Sequence, residues 1–300
     1  MAGETALRLM VVALASAMLG LAGCRWHDVQ HPPAPSPDER AASFEELASR
    51  TVDGVPLETH LRALTFRLAG NLVPVVDENG TRFESADGSG TYGQGLAVPL
   101  TADGYFLTAA HVVNLLPEPI YVMSWHTGEA VIAPVRVVWR GAEGDYLADG
   151  VLDLAIIHAP LTLEVAAEWA VEEELQVETP LVGMGGTGFW PPIASGGRLN
   201  EITTAVNREA CAAGEFVFRF IQHDVPIGHG DSGGPIMLAD GRLVGITVRG
   251  QTRLTTTRRR VVGKSKRVER TLEHRNTVLR PEPDILMKLI ESDRGSSLAE

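Results

Sequence analysis

The sequence predicts an all-β protein, a barrel or sandwich closed by a C-terminal helix. Two observations carry this. The apolar runs are short and are separated by glycine, proline, aspartate and asparagine. No strand–helix–strand rhythm repeats along the chain. The segments Gly95–Leu100, Tyr105–Thr108, Ile120–Met123, Val135–Val138, Leu152–Ile157, Phe216–Ile221 and Arg242–Val248 have the length and residue types of strands. Asn276–Arg280 fits a closing strand. Asp284–Glu291 combines an N-capping aspartate with helical apolar spacing and fits the terminal helix. Helical composition also marks Glu164–Gln176, where Glu172–Glu174 reads as a solvated face rather than a metal site. A short helix is expected within Asp38–Arg50, with Phe44 and Leu47 on one face.

Composition narrows the function classes. The 300 residues are 44% hydrophobic and 21% charged, enough for a substantial core in one or two domains. With 26 basic and 38 acidic side chains the net charge is −12. Such a chain repels phosphates, so no nucleic-acid partner is expected. No HExxH motif or paired CxxC occurs, and neither metal nor cofactor is expected.

The N-terminus reads as an address. Leu9–Ala22 is an unbroken run of apolar and small residues behind Arg8, too short to span a bilayer comfortably. It ends in Leu21-Ala22-Gly23-Cys24, which resembles a bacterial lipobox, so Cys24 is the expected lipidation site and the membrane an expected partner. Arg25 after it favours the outer membrane in a cell that has two. The proline-rich stretch that follows suits a stiff tether. The expected organisation is residues 1–23 as signal peptide, 24–55 as tether and 56–295 as the folded domain, divided near 160–180. The other cysteine, Cys211, reads as a small packed side chain rather than a nucleophile.

Three separated motifs carry the chemistry. Gly228-His-Gly-Asp-Ser-Gly-Gly-Pro235 has the glycines that let a tight turn expose a serine and aim backbone N–H groups at an oxyanion. Thr108-Ala-Ala-His111 closes an apolar strand. Val151-Leu-Asp153-Leu-Ala-Ile-Ile157 sets one carboxylate among apolar residues, where it is costly unless paired. A histidine N–H is a suitable partner, so the three oddities explain one another.

The order His, Asp, Ser and the strings TAAH, DLAI and GDSGGP resemble the chymotrypsin/trypsin superfamily. The bacterial HtrA (Deg) branch is the nearer likeness, through Gly93–Val113, Gln222–Ile236 and Gly241–Ile246. Over roughly residues 60–292 the resemblance implies two six-stranded antiparallel β-barrels with a cleft between them. It implies a serine endopeptidase acting on polypeptides, with Ser232 as nucleophile, His111 as base and Asp153 as its orienting acid. It also implies an oxyanion hole from the N–H groups of Gly230 and Ser232, and substrate pairing along Val248, Arg249 and Gly250.

The sequence departs from that pattern in places. The HtrA branch usually has asparagine at position 231 and a following PDZ domain, whereas here Asp231 stands and the chain stops soon after its helix. Asp231 is therefore expected to pair with an internal cation or hydroxyl. Val248 occupies a position where relatives carry a hydroxyl that supports the acid, and a register slip could bring Thr247 there instead. Pro226 replaces an acidic pocket floor and Thr247 lines one wall, so a small or apolar residue is expected before the cleaved bond. The segment 253–275 is strongly basic and reads as a hairpin arm, either solvated or touching an anionic surface. Two alternatives stand beside the peptidase: a catalytically silent peptide-binding module on the same fold, and an α/β-hydrolase esterase. The latter would need the order Ser, acid, His.

Overall fold

The computed structural model describes residues 35–77, 80–88, 94–124, 131–141, 152–185, 192–207, 216–259 and 267–297, with only the backbone for 72, 74, 76–77, 80–83, 205–207, 216, 250–259, 267–275 and 297. Residues Ala34–Glu300 form one compact unit. The expected signal segment, Cys24 and Cys211 lie outside the described residues, as do the side chains of the basic arm.

The first helix among the described residues, α1 (Pro37–Phe44), begins where its sequence dictates. Ser36 Oγ accepts from Glu39 N, the Glu39 carboxylate accepts from Ser36 N, and Pro37 takes the first turn. A 3-10 turn, Glu45–Leu47, continues it. Phe44 and Leu47 enter the main core, and Arg40 is 1% exposed. The tether expected over 24–55 therefore does not reach residue 55. From Pro37 onward an apolar stripe and a buried cation fix the segment to the body. Two short strands follow, β1 (Thr51–Val52) and β2 (Val55–Pro56), then α2 (Leu57–Ala63).

Among the described residues, nine strands and a helix make the first half: β3 (Phe66–Gly70), β4 (Leu72–Asp77), β5 (Gly80–Ser85), β6 (Gln94–Pro99), β7 (Tyr105–Thr108), α3 (Ala110–Leu115), β8 (Ile120–Ser124), β9 (Val131–Pro134), β10 (Arg136–Arg140) and β11 (Ala155–His158). The β4–β5 hairpin forms its own two-stranded sheet. The remaining seven are hydrogen-bonded in the order β10-β11-β7-β6-β3-β8-β9. Only Val135 separates β9 from β10, and its N–H donates to Ile120 O at 3.0 Å. The chain itself thus closes the ring, giving six strands with one bent at Val135. The strand expected over Val135–Val138 is the later limb of that bend.

The second half is a closed barrel of β12 (Pro180–Gly185), β13 (Ile193–Asn207), β14 (Phe216–His223), β15 (Pro235–Leu238), β16 (Leu243–Arg259) and β17 (Arg267–Pro281), in the order β12-β13-β14-β17-β16-β15. β16 and β17 run on together beyond the barrel, pairing from Gly250↔Asn276 to Arg259↔Arg267. This is the backbone of the basic arm. The terminal helix α4 (Pro283–Ser297) is longer than expected and buries Leu286 and Ile290 in the main core. That core is shared by both barrels, joining Phe66 and Phe106 of the first to Phe218 and Ile246 of the second.

One expected helix is absent. Glu164–Gln176 lies in the connector between barrels and holds only a 3-10 turn at Glu172–Glu174. Its backbone is spent on neighbours: Ala167 N donates to Pro99 O, Ala170 N to Leu243 O, and Leu243 N to Glu168 O. Tertiary pairing overrides helical propensity here. Arg280 adds to the grip, donating to the carbonyls of Ala170, Leu243 and Val244 from a buried position.

Candidate active site

His111 is set by a short helix packed on a glycine. Residue 110 begins α3 directly after β7, and Val112 on the same turn lies over Gly95 of β6. A Cβ on Gly95 would meet Val112 Cγ1 at 2.4 Å, so only glycine lets the helix sit this close. Asp153 was expected inside a strand. It instead lies just before β11, in a segment pinned by Gly141 N donating to Leu154 O at 2.8 Å. Leu152 and Leu154 are buried in the core on either side, and Asp153 between them is 3% exposed.

The two residues meet twice. His111 N donates to Asp153 Oδ1 at 2.9 Å, and His111 Nδ1 lies 2.6 Å from Asp153 Oδ2. A carboxylate accepts, so Nδ1 carries the proton and Nε2 presents a lone pair. The register slip that would bring Thr247 to this carboxylate is not made. A bulge does fall between Thr247 and Arg249, but among the described residues Asp153 accepts from His111 alone. Val248 packs against the main core instead.

Ser232 sits in a turn held from both barrels. Gly233 N donates to Thr247 O at 2.7 Å, and Thr247 N donates to Gly234 O at 2.8 Å. From the first barrel, Leu96 N donates to Ser232 O at 2.8 Å, while Leu96 O accepts from Thr108 Oγ1 at 2.7 Å. Gly233 has φ +81°, and a Cβ there would lie 2.0 Å from Leu96 O. Gly230 is also left-handed, at φ +88°. The N–H groups of Gly230 and Ser232 have no acceptor among the described residues, and neither has Ser232 Oγ a partner there.

The segment in front of the turn is pinned by side chains that sequence reading passed over. Val225 N donates to His223 Nδ1 at 3.1 Å, and Val225 O accepts from Asn276 Nδ2 at 2.7 Å. Pro226 O accepts from Arg40 Nη1 at 3.1 Å. His223 is fully buried, and that burial alone pushes its pKa down to about 3. Of the internal cation or hydroxyl expected for Asp231, it meets a cation: Arg40 Nη2 lies 2.5 Å from Asp231 Oδ2, with both side chains buried. Beyond Thr247, the edge of β16 opposite β17 has no strand partner among the described residues, since pairing with β15 ends at Ile246. Val248, Arg249 and Gly250 lie along that open edge.

A model of the trypsin-like peptidase domain matches residues 88–246, more than half of the chain. Curated protein sequences returned no match. Among solved structures, an HtrA-type protease, AlgW with a decapeptide, aligns over 78% of this chain and 66% of its own, at 17% identity and TM-score 0.50. A serine-to-alanine variant of AlgW with a tripeptide aligns over 78% and 61%, at 19% identity and TM-score 0.48. Deg5 aligns over 64% and 82%, at 16% identity and TM-score 0.44. The chain thus spans less than two thirds of the length of the two AlgW chains. The match over the segment that holds His111, Asp153 and Ser232 decides the assignment: this chain belongs to the trypsin-like peptidase domain family.

Proposed function

We propose that the chain is a serine endopeptidase of the bacterial cell envelope that works through an acyl-enzyme. Ser232 Oγ adds to the carbonyl carbon of the scissile peptide while His111 Nε2 takes its proton. The oxyanion accepts from the N–H groups of Gly230 and Ser232. Collapse expels the amine, which takes the proton back from His111. Water, deprotonated by the same nitrogen, then cleaves the ester to release the acid and free Ser232. Asp153 keeps the proton on Nδ1 and stabilises the imidazolium. The observation that carries this reading is the double contact of Asp153 with His111, at 2.9 and 2.6 Å.

An extended substrate would add a strand along Val248, Arg249 and Gly250. Pro226 and Thr247 would line the pocket for the residue before the cleaved bond, favouring a small or apolar side chain. A peptide library tests this, and dominant cleavage after arginine or lysine would sink it. Lipidation at Cys24 would hold the protein at the envelope, on the outer membrane of a diderm cell. Cys24→Ser should move it from the membrane fraction to the soluble fraction. The basic arm 253–275 would touch an anionic surface, and adhesion of Cys24→Ser to anionic vesicles should then weaken as salt rises.

One observation favours the second reading, a silent peptide-binding module. Ser232 Oγ bonds to nothing among the described residues, His111 included. In the peptidase reading that contact tightens only with substrate bound. Labelling with a fluorophosphonate, which reacts with activated serines, separates the two. The peptidase is labelled and its Ser232→Ala variant is not; absence of labelling in both favours the binding module.

A further inference from the structure

The pair formed by Arg40 and Asp231 is buried, joins two segments remote in sequence, and sits one residue from Ser232. Three features show a site built for it. The guanidinium uses its fork on the loop alone, Nη2 on Asp231 Oδ2 at 2.5 Å and Nη1 on Pro226 O at 3.1 Å. Asp231 Oδ2 in turn accepts from Gly228 N at 2.7 Å, so one carboxylate oxygen ties the cation to the turn's entry. Room for the pair comes from Gly185 of β12, where a Cβ would fall 2.5 Å from Asp231 Cγ and 2.6 Å from Arg40 Nη1.

The helix that delivers Arg40 is anchored independently. Its start is fixed by the Ser36–Glu39 capping box. Ser43 Oγ donates to Arg40 O at 2.7 Å and accepts from Gly196 N of β13 at 3.0 Å. Two ends of the nucleophile loop, Pro226 and Asp231, are therefore held from a helix belonging to neither barrel. Between and beside them lie the two N–H groups left without acceptors among the described residues, those of Gly230 and Ser232. A backbone dipole is effective toward a developing oxyanion only if it is held in place before the reaction.

We propose that Arg40 is a positioning residue of the active site. Docked by α1, it holds Asp231 and Pro226 so that the N–H groups of Gly230 and Ser232 stay turned out of the loop. Acylation then depends on the segment N-terminal to the first barrel being in place. This rests on the peptidase reading above, and the two can fail separately.

The test measures fluorophosphonate acylation rate, and kcat and KM on a peptide ester, per folded molecule of the full-length protein well below its melting temperature. Wild type, Arg40→Met and Arg40→Lys are compared. The expected result for Arg40→Met is acylation about 100-fold slower, the scale of a lost oxyanion donor, with KM changed less than about threefold. Arg40→Lys keeps the charge without the two-pronged fork and should recover part of the rate, leaving it about tenfold below wild type. A merely structural pair would lower melting temperature and folded yield but leave the rate per folded molecule unchanged, and that result overturns the proposal. If Arg40→Met does not fold, Arg40→Lys decides alone: wild-type acylation in it overturns the proposal. A wild type that is never labelled removes the peptidase reading and this proposal with it. A labelled wild type with an equally labelled Arg40→Met removes only this one.

Discussion

His111 grips Asp153 at two points, its backbone N–H on one carboxylate oxygen and its ring Nδ1 on the other. The first contact fixes where the carboxylate lies, and the second fixes the ring's tautomer. Asp153→Asn should break the second function while leaving side-chain volume unchanged. An amide can present its oxygen to only one of the two donors, and its NH2 group then faces the other. The expected result is a fall in kcat of about 10⁴-fold on a peptide ester, with little change in KM. Retention of more than about a tenth of wild-type kcat would show that Asp153 does not set the tautomer.

The meeting of the barrels at Gly233 predicts a large and specific cost for a single methyl. Gly233→Ala meets a left-handed backbone, worth roughly 1–3 kcal/mol, and a contact with Leu96 O at 2.0 Å that cannot yield without moving β6. Gly88 is left-handed too, at φ +73°, with nothing among the described residues within 4 Å of an added Cβ. Gly88→Ala should therefore cost only about 1–2 kcal/mol, the backbone part. Urea unfolding of both variants isolates the contact between barrels. Equal costs would mean that the turn holding Ser232 is not wedged against β6.

The terminal helix α4 returns from the second barrel and latches onto the first with charges. Asp293 accepts from Tyr105 Oη at 2.7 Å and from both terminal nitrogens of Arg136, and Arg294 makes a two-pronged contact with Asp103. The Arg136 hydrogen bond holds the Asp293 pKa below its usual 3.8, and the Arg294 hydrogen bond does the same for Asp103. A depressed carboxylate contributes stability that is complete above its unfolded pKa and is lost as pH falls through the folded one. The latch should thus be intact at neutral pH and weaken only below about pH 4. These groups are partly solvated, so Asp293→Asn should cost about 1 kcal/mol at neutral pH, less at high salt. Thermal melts at two ionic strengths check this; a salt-independent loss would assign the effect to packing.

Much of the fold was written locally. Tyr105–Thr108 and Phe216–Ile221 lie within strands because their length and residue types favour strand, and His111, Asp153 and Ser232 stood out because each is chemically odd where it sits. The helical composition of the connector at Glu164–Gln176 does not decide its structure, because Leu243 and Pro99, residues distant in sequence, claim its backbone. Arg40 was invisible for the same reason. An arginine after Glu39 at the start of a helix reads as a solvated charge, and only the gap above Gly185 reveals where it goes. Asp231 called for an internal cation or hydroxyl, and nothing near it in the sequence says which. His223 and Asn276, which pin Val225, are single polar residues in strands with no spacing to mark them.

His223 makes the second barrel sensitive to acid. Its Nδ1 accepts from Val225 N, so the proton sits on Nε2, which is buried with no partner among the described residues. Burial pushes the folded pKa to about 3, against 6.5 for an exposed histidine. Between those values the unfolded chain binds a proton that the native one refuses. The contribution of His223 to stability is therefore full above about pH 6.5 and falls as pH drops below it, by about 1.4 kcal/mol per unit until pH approaches about 3. His223→Asn keeps an acceptor for Val225 N and removes the titration. It should be less stable than wild type at about pH 7 yet lose roughly 2 kcal/mol less between about pH 7 and about pH 5. Urea midpoints of both proteins at the two pH values measure the difference directly, since every other titrating group is common to them. Parallel losses would mean that His223 is protonated in the folded barrel and has found a partner for the charge.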